Sequence, residues 1–249
     1  MNSSKKSILN SNFTYLAAFV LPVIMMMALY YTRGIFPWGN ECYLRSDMYH
    51  QYAPFFSELW HKIRNGESLT YSWNIGMGTN FTSLFAYYLA SPSNWFVALF
   101  PQKYTIEIMN AFIILKIAGS SLSLTYYLTK HNNNKHVIAA IFGMFYGMSG
   151  FIAAYSWNIM WMEVMMMLPL ILYGVDKLIK EHDGRFYCIT LFISLWCNFY
   201  MSYMTCLFLI LWYLLYPHKN IKEFFLNGLR FAGYSLLSGA MAAVVLLPA

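Results

Sequence analysis

The chain has 249 residues, of which 59% are hydrophobic, 20% aromatic and 10% charged, and its mean hydropathy is +0.46. Soluble domains carry about 25% charged residues, so this composition excludes a soluble globular domain and defines an integral membrane protein. The net charge of +6 does not mark a nucleic-acid binder, because the basic residues follow a membrane pattern described below.

Taken in chain order, the sequence predicts an all-α, multi-pass membrane helix bundle. A span needs about 20 apolar residues, and residues 13–31 supply the first, with Pro22 as a candidate kink. No signal-peptide cleavage site is visible, so this span is expected to stay as an anchor. Residues 32–83 form a large external loop. Within it, apolar residues at 48, 52, 55, 56, 59, 60 and 63 make the stripe of an amphipathic helix over 47–64. Asn65-Gly66 stops that helix. In the run from Tyr71 to Asn80, Gly76 and Gly78 allow a tight turn or a close backbone approach.

Residues 84–100 are apolar but broken by Ser91-Pro92-Ser93. Each piece is too short to cross, which predicts interfacial or re-entrant segments, held where protein or water satisfies their free backbone groups. Residues 106–128, 137–154 and 164–178 are the next spans, with residues 155–163 as a short aromatic external turn. Residues 186–216 are flanked by basic residues at both ends. A re-entrant hairpin folded near Asn198 keeps both flanks on one side. Residues 224–249 start a further span, and the apolar ending Leu247-Pro248-Ala249 suggests a larger parent protein.

The basic residues sort by side. Lys5, Lys6, Lys130, Lys135, Lys177, Lys180, Arg185, Lys219, Lys222 and Arg230 fall on one side, against Arg33, Arg45, Lys62, Arg64 and Lys103 on the other. That is the positive-inside pattern, with a cytoplasmic amino terminus and an extracellular first loop. The loop lysines serve orientation and contact with anionic membrane lipids. Cys42, Cys188, Cys197 and Cys206 show no metal spacing and read as packing residues. The Asn-x-Ser/Thr triplets at Asn2, Asn12 and Asn80 are easily matched by chance.

Two carboxylates are candidate catalytic groups. Asp47 is either a general base at the outer membrane face or a helix N-cap worth about 1 kcal/mol, and the two roles are compatible. A pocket between loop and bilayer, burying it in part, would suit it to proton transfer. Glu163 stands where an external turn re-enters the membrane, and acids there are costly and tend to be functional. Around them lie candidate substrate-binding residues. His50 orients the acid, binds a hydroxyl or is mere surface; Gln51 and Tyr52 share its turn. Arg45 neutralises a phosphate, or pairs with Glu41 or lipid headgroups. Asn74 lies in the glycine-bearing loop. Trp157 stacks on a sugar or joins the interfacial belt, beside Asn158. Lys116 sits near mid-membrane, about 13 Å along the helix from Glu107 and so not paired with it; it binds a lipid phosphate or pairs with a buried acid. Asn198 and Tyr200 supply polar groups at the hairpin tip. No ligand triad fixes a metal, so no cofactor is assigned and a divalent cation stays open.

Several runs together resemble the YfhO family of bacterial membrane proteins. They are Phe36-Pro37-Trp38-Gly39, Ser46-Asp47-Met48 with Gln51-Tyr52 and Phe55-Phe56, Tyr71 to Gly78, Leu84 to Pro92, Leu115-Lys116-Ile117, Met160 to Glu163 with Leu168-Pro169-Leu170, and Asn198 to Tyr203. The resemblance covers nearly the whole chain. Many members have an aromatic residue before the loop aspartate, where this chain has Ser46. The resemblance implies a GT-C-like architecture and transfer of a sugar from a polyprenyl-phosphate donor to a cell-wall polymer, lipoteichoic-acid-like, at the outer face of the bacterial cell membrane. Carried over, Asp47 is the base, and Arg45 or Lys116 meets the leaving phosphate. It also implies longer proteins, whose remaining half completes the acceptor site. The competing readings are a transporter or flippase of a lipid-linked precursor and a non-catalytic membrane scaffold. None of the three calls for nucleic acid.

Overall fold

A computed structural model describes residues 13–134 and 136–249. Lys5, Lys6 and Lys135, and the triplets at Asn2 and Asn12, lie outside the described residues. Among the described residues, four stretches are long and apolar enough to cross a membrane: Phe13–Thr32, Gln102–His131, Ile138–Tyr155 and Ile159–Glu181. They coincide with the predicted spans at 13–31, 106–128, 137–154 and 164–178.

Helix α1 (Phe13–Thr32) runs antiparallel to α4 (Thr105–His131). Tyr15 near the start of α1 bonds Thr129 near the end of α4, at 2.8 Å, whereas Tyr30 near its end donates to the Asn110 carbonyl at 3.4 Å. The bundle therefore has two distinguishable ends, called here the loop end (Tyr30, Asn110) and the basic end (Thr129). Helix α4 is central and packs against α1, α5 and α7. The third span is not one helix: α5 (Ile138–Gly147) and α6 (Gly150–Tyr155) break at Met148 and Ser149. Gly143 and Gly147 on α5 meet Ser121 and Thr125 of α4, where a Cβ on either glycine would strike backbone or hydroxyl oxygens. Small residues four apart let two helix backbones approach closely. Helix α7 (Met162–Glu181) follows a short 3-10 turn at Ile159–Trp161.

Between α1 and α4 the loop is ordered. Helix α2 (Ala53–Asn65) is extended at its start by a wide helical turn over Met48–Tyr52. The predicted stripe is what it buries: Met48, Tyr52, Phe55, Phe56 and Leu59 face the core, where a large apolar side chain contributes about 1.5–3 kcal/mol. Phe56 meets Phe112 of α4 with ring centroids 6.5 Å apart, so α2 lies on the loop end of the bundle. Gly66 stops it at φ 64°, its N–H bonded to the Lys62 carbonyl. Strands β1 (Tyr71–Ser72) and β2 (Thr79–Asn80) then pair antiparallel. Gly78 takes φ 103° and lies against the Tyr71 ring, where no side chain fits. Helix α3 (Phe81–Leu84), prolonged by another wide turn over Phe85–Leu89, is cut off at Ser91, and a 3-10 segment Pro92–Leu99 follows. The predicted break at Ser91-Pro92-Ser93 is where the helix ends.

Helices α8 (Arg185–Cys197) and α9 (Phe199–Leu215) are separated by Asn198 in extended conformation. In a continuous helix, Ser194 and Ser202 would be about 12 Å apart; their hydroxyls are 2.8 Å apart. The chain folds back at Asn198 as a hairpin. Its arms, at 13 and 17 residues, reach about 20 and 26 Å, short of the roughly 30 Å hydrocarbon layer. Tyr187 and Tyr213, from opposite arms, both stack on Phe231 of α10 (Ile221–Met241). The short α11 (Ala243–Leu246) follows, and Ser83 of the loop donates to the Pro248 carbonyl at 2.7 Å. Residues 224–249, predicted to start a span, are thus mostly α10, which carries Lys222, Glu223 and Arg230 and is not among the four stretches above.

Candidate functional site

Asp47 is exposed and stands directly before the first helical turn of the loop. The capping expectation is corrected here. Asp47 already has helical angles (φ −66°, ψ −15°) and its side chain caps nothing. Met48 N–H bonds Arg45 O at 3.2 Å, and Tyr49 N–H, one of the two amides that a cap would satisfy, bonds Ser46 O at 3.3 Å. Ser46, at φ 52°, makes that turn. The expected partial burial of Asp47 is corrected as well, since nothing covers it. Among the described residues it has no hydrogen bond and no ion pair.

Below it lies a floor of aromatic rings. Tyr52 is buried, donates to Asn158 Oδ1 at 2.8 Å, and stacks on Trp157 at 6.3 Å and 13°. Tyr88 lies 5.5 Å from the Tyr52 ring and 4.6 Å from that of Tyr87. Tyr200 approaches Tyr87 at 6.4 Å and stacks on Trp161 at 6.1 Å. Burial, then Tyr88, then the charge of Asp47 push the Tyr52 phenol up; burial, Tyr87 and Asp47 do the same to Tyr88, opposed by its hydrogen bond with Gln51. Both phenols stay neutral donors at neutral pH. Asp47, Gln51, Tyr52, Trp157, Asn158 and Tyr200, which the sequence offered as separate groups, thus lie close together. Asn198 supports this cluster: its Nδ2 donates to the Tyr87 carbonyl at 3.0 Å while its Oδ1 caps α9.

Other candidates sit elsewhere. His50 is exposed and edge-on to Tyr49, without a hydrogen bond to Asp47. Asn74 donates to Glu58 Oε2 at 3.0 Å and belongs to a strap over buried Glu58 and Lys62, in which Ser72 bonds the same carboxylate at 2.6 Å and Lys62 spans the Ser68 and Tyr71 carbonyls. Glu58 and its pairing with Lys62 went unnoticed in the sequence, although a spacing of four on a helix is a pairing signal.

Lys116 and Glu163 meet. Their charged atoms are 2.6 Å apart, both side chains are buried, and Lys116 also donates to the Ile159 carbonyl at 3.1 Å. Ser91 and Ser93 donate to Glu163 Oε1 at 2.5 and 3.0 Å. Of the two alternatives for Lys116, the structure has the buried acid. A mostly apolar cavity of about 600 Å³ borders the pair, between the Pro92–Leu99 segment, α4 and α7.

A larger cavity, about 770 Å³, is lined by the loop as far as Arg45, two residues before Asp47. Arg33, Glu41, Tyr43 and Arg45 line its mouth, and Met26, Leu29, Met148 and Ile152 its apolar depth between α1 and the α5–α6 break. Arg45 donates to the Tyr43 hydroxyl at 3.1 Å, which in turn bonds Ser156 at 2.7 Å. Arg33 was not singled out from sequence. The available signal was its sign: a cation at the outer end of the first span runs against the positive-inside pattern. Among the described residues, no three His, Cys, Asp or Glu side chains gather as they would around a metal ion.

Apolar helices crossing from a basic end to an ordered, acid-bearing loop define a multi-pass helical membrane protein. The chain matches the model of the family described as bacterial membrane protein YfhO over residues 17–249, and it belongs to that family. No curated protein and no solved structure matches it.

Proposed function

We propose that this protein transfers a sugar from a polyprenyl-phosphate donor to a cell-wall polymer, lipoteichoic-acid-like, at the outer face of the bacterial membrane. The observation that carries the reading is Asp47: an exposed, unpaired carboxylate fixed on a helix, above aromatic rings and two residues along the chain from a cavity that is cationic at its mouth and apolar in its depth. The loop end faces outward, as the basic residues of the opposite end indicate. The polyprenyl chain lies between α1 and the α5–α6 break, and Arg33 and Arg45 meet the donor phosphate. Aromatic faces hold the sugar. Asp47 takes the proton of an acceptor hydroxyl as its oxygen bonds the anomeric carbon. The bond from that carbon to the phosphate oxygen breaks with inversion, and polyprenyl phosphate leaves with its electron pair, stabilised by the arginines. Glu163 holds Lys116 in this reading and moves no proton, and neither the sugar nor a divalent cation is assigned.

The test is donor-dependent transfer by the full-length protein. Asp47→Asn is expected to lower the rate by about 10²–10⁴-fold, the usual worth of a general base; wild-type rates would remove Asp47 from the mechanism. The folded-back α8–α9 pair also suits a transporter or flippase, since broken helices line translocation paths. Sugar transfer by purified protein in detergent, where there are no sides to cross, separates the two.

A further inference from the structure

The basic end holds a second cavity that the proposed reaction does not use. It measures about 670 Å³, opens between the ends of α4, α7 and α9, and is lined by His131, Lys180, Trp212, Tyr216, His218 and Lys219 among others. Two nitrogens of its lining side chains are buried without a partner, Trp212 Nε1 and His218 Nδ1. Buried polar groups nearly always find one. The indole N–H can only donate. His218 Nε2 bonds the Tyr213 carbonyl at 3.3 Å and so carries its hydrogen. Nδ1 is then an acceptor, and becomes a donor once the ring is protonated.

Each of the two lysines is held only by a loose i,i+4 ion pair. Lys180 stands 3.6 Å from Asp176 and Lys219 3.7 Å from Glu223, beyond good hydrogen-bond distance. Asp176 is already served by His131 at 2.5 Å and Tyr216 at 2.9 Å. The remaining wall is Ile179, Pro217 and Leu215 at 84% exposure, with one carboxylate, Glu223, beside Lys219. Cations and an unpaired donor thus meet a greasy, open wall at the end of the bundle.

We propose that this cavity binds the phosphate headgroup of an anionic membrane lipid. Lys180 and Lys219 meet its charge, Trp212 Nε1 donates to a phosphate oxygen, and the acyl chain runs along Leu215. Basic pockets between membrane helices bind phosphate headgroups in this manner. The apolar wall favours a lipid over free phosphate, which needs no such surface.

The purified full chain in detergent is titrated with phosphatidylglycerol, phosphatidylcholine or inorganic phosphate, and bound lipid is counted by native mass spectrometry. Phosphatidylglycerol is expected to bind saturably and at least about ten-fold more tightly than phosphatidylcholine, a difference of about 1.4 kcal/mol. Trp212→Phe, and Lys180→Gln with Lys219→Gln, should each cut that preference several-fold, whereas Lys103→Gln at the loop end leaves it intact. Equal binding of the two lipids, or wild-type preference in both variants, overturns the proposal. Displacement of phosphatidylglycerol by millimolar inorganic phosphate overturns the lipid assignment in favour of a free anion. Should Trp212→Phe not fold, the lysine pair decides, because those side chains are 53% and 85% exposed.

Discussion

Two aspartates at opposite ends of the bundle have opposite surroundings. Asp176, at the basic end, is buried and held by His131, Tyr216 and, more loosely, Lys180. It ties α4, α7 and the end of α9 together, and burial and its charge push the Tyr216 phenol up. Asp47, at the loop end, is exposed and bonded to nothing. A carboxylate whose lone pairs are all occupied holds structure. One kept open on a rigid helix contributes little to the fold and is available to a ligand. The contrast assigns stability to one end and chemistry to the other.

The contrast breaks if the two ends respond alike. The largest effect is expected from Asp47→Asn, with its about 10²–10⁴-fold loss of transfer and a stability change within about 0.5 kcal/mol, as for surface substitutions generally. A thermal melt beside the transfer assay reads both. Between the two ends, Lys116→Met leaves Glu163 buried and charged and should cost about 3–5 kcal/mol; adding Glu163→Gln should restore much of the melting temperature. Asp176→Asn should destabilise by about 3 kcal/mol without altering turnover of the protein that remains folded, a result checked by activity per folded molecule. Trp157→Ala removes one ring of the floor and should raise the sugar-donor KM about two- to ten-fold at constant kcat, in line with the worth of an aromatic contact.

The smallest effect lies in acid. Hydrogen bonds from Arg185 to half-buried Asp183, at 3.0 and 3.1 Å, hold its carboxyl at about 2 against an ordinary 3.8. A depressed carboxyl stabilises above its unfolded value and stops doing so as pH falls through its folded one. This link between α7 and α8 is therefore present above pH 3.8 and lost towards pH 2. Arg185→Gln should shrink that part of the acid transition in a detergent melt, leaving what the residue-185 backbone N–H and Lys177 sustain.

Much of this was legible because it is local. The stripe from Met48 to Ile63 named the buried face of α2, Gly66 named its end, and Ser91-Pro92-Ser93 and Asn198 named two breaks. Each depends on residues within a few turns of one another. The partners of Lys116 and Asp176 are set by which helices become neighbours, and Glu163 is 47 positions from Lys116, so no periodicity connects them. The break at Met148 was missed although Gly147-Met148-Ser149-Gly150 carries two glycines and a serine, residues that punctuate helices. The cap reading of Asp47 failed for a subtler reason: residue type favours a cap, but the wide first turn had already used one of the two amides. For the site, Asp47, Tyr52, Trp157 and Asn158 were found separately, while their meeting on one surface depends on how the loop settles on α4 and the 3-10 turn at Ile159–Trp161. The cationic mouth at Arg33 needed the third dimension altogether.

The pairing of Lys116 with Glu163 has an electrical consequence. Lys116 lies midway along a 30-residue stretch able to span the membrane. A lone charge at such a depth would feel the transmembrane voltage, which is worth about 2.3 kcal/mol per elementary charge per 100 mV across the full membrane. Opposite charges 2.6 Å apart sum to zero, and the field acts only on their small dipole. The pair therefore adds almost nothing to the voltage sensitivity of the central helices.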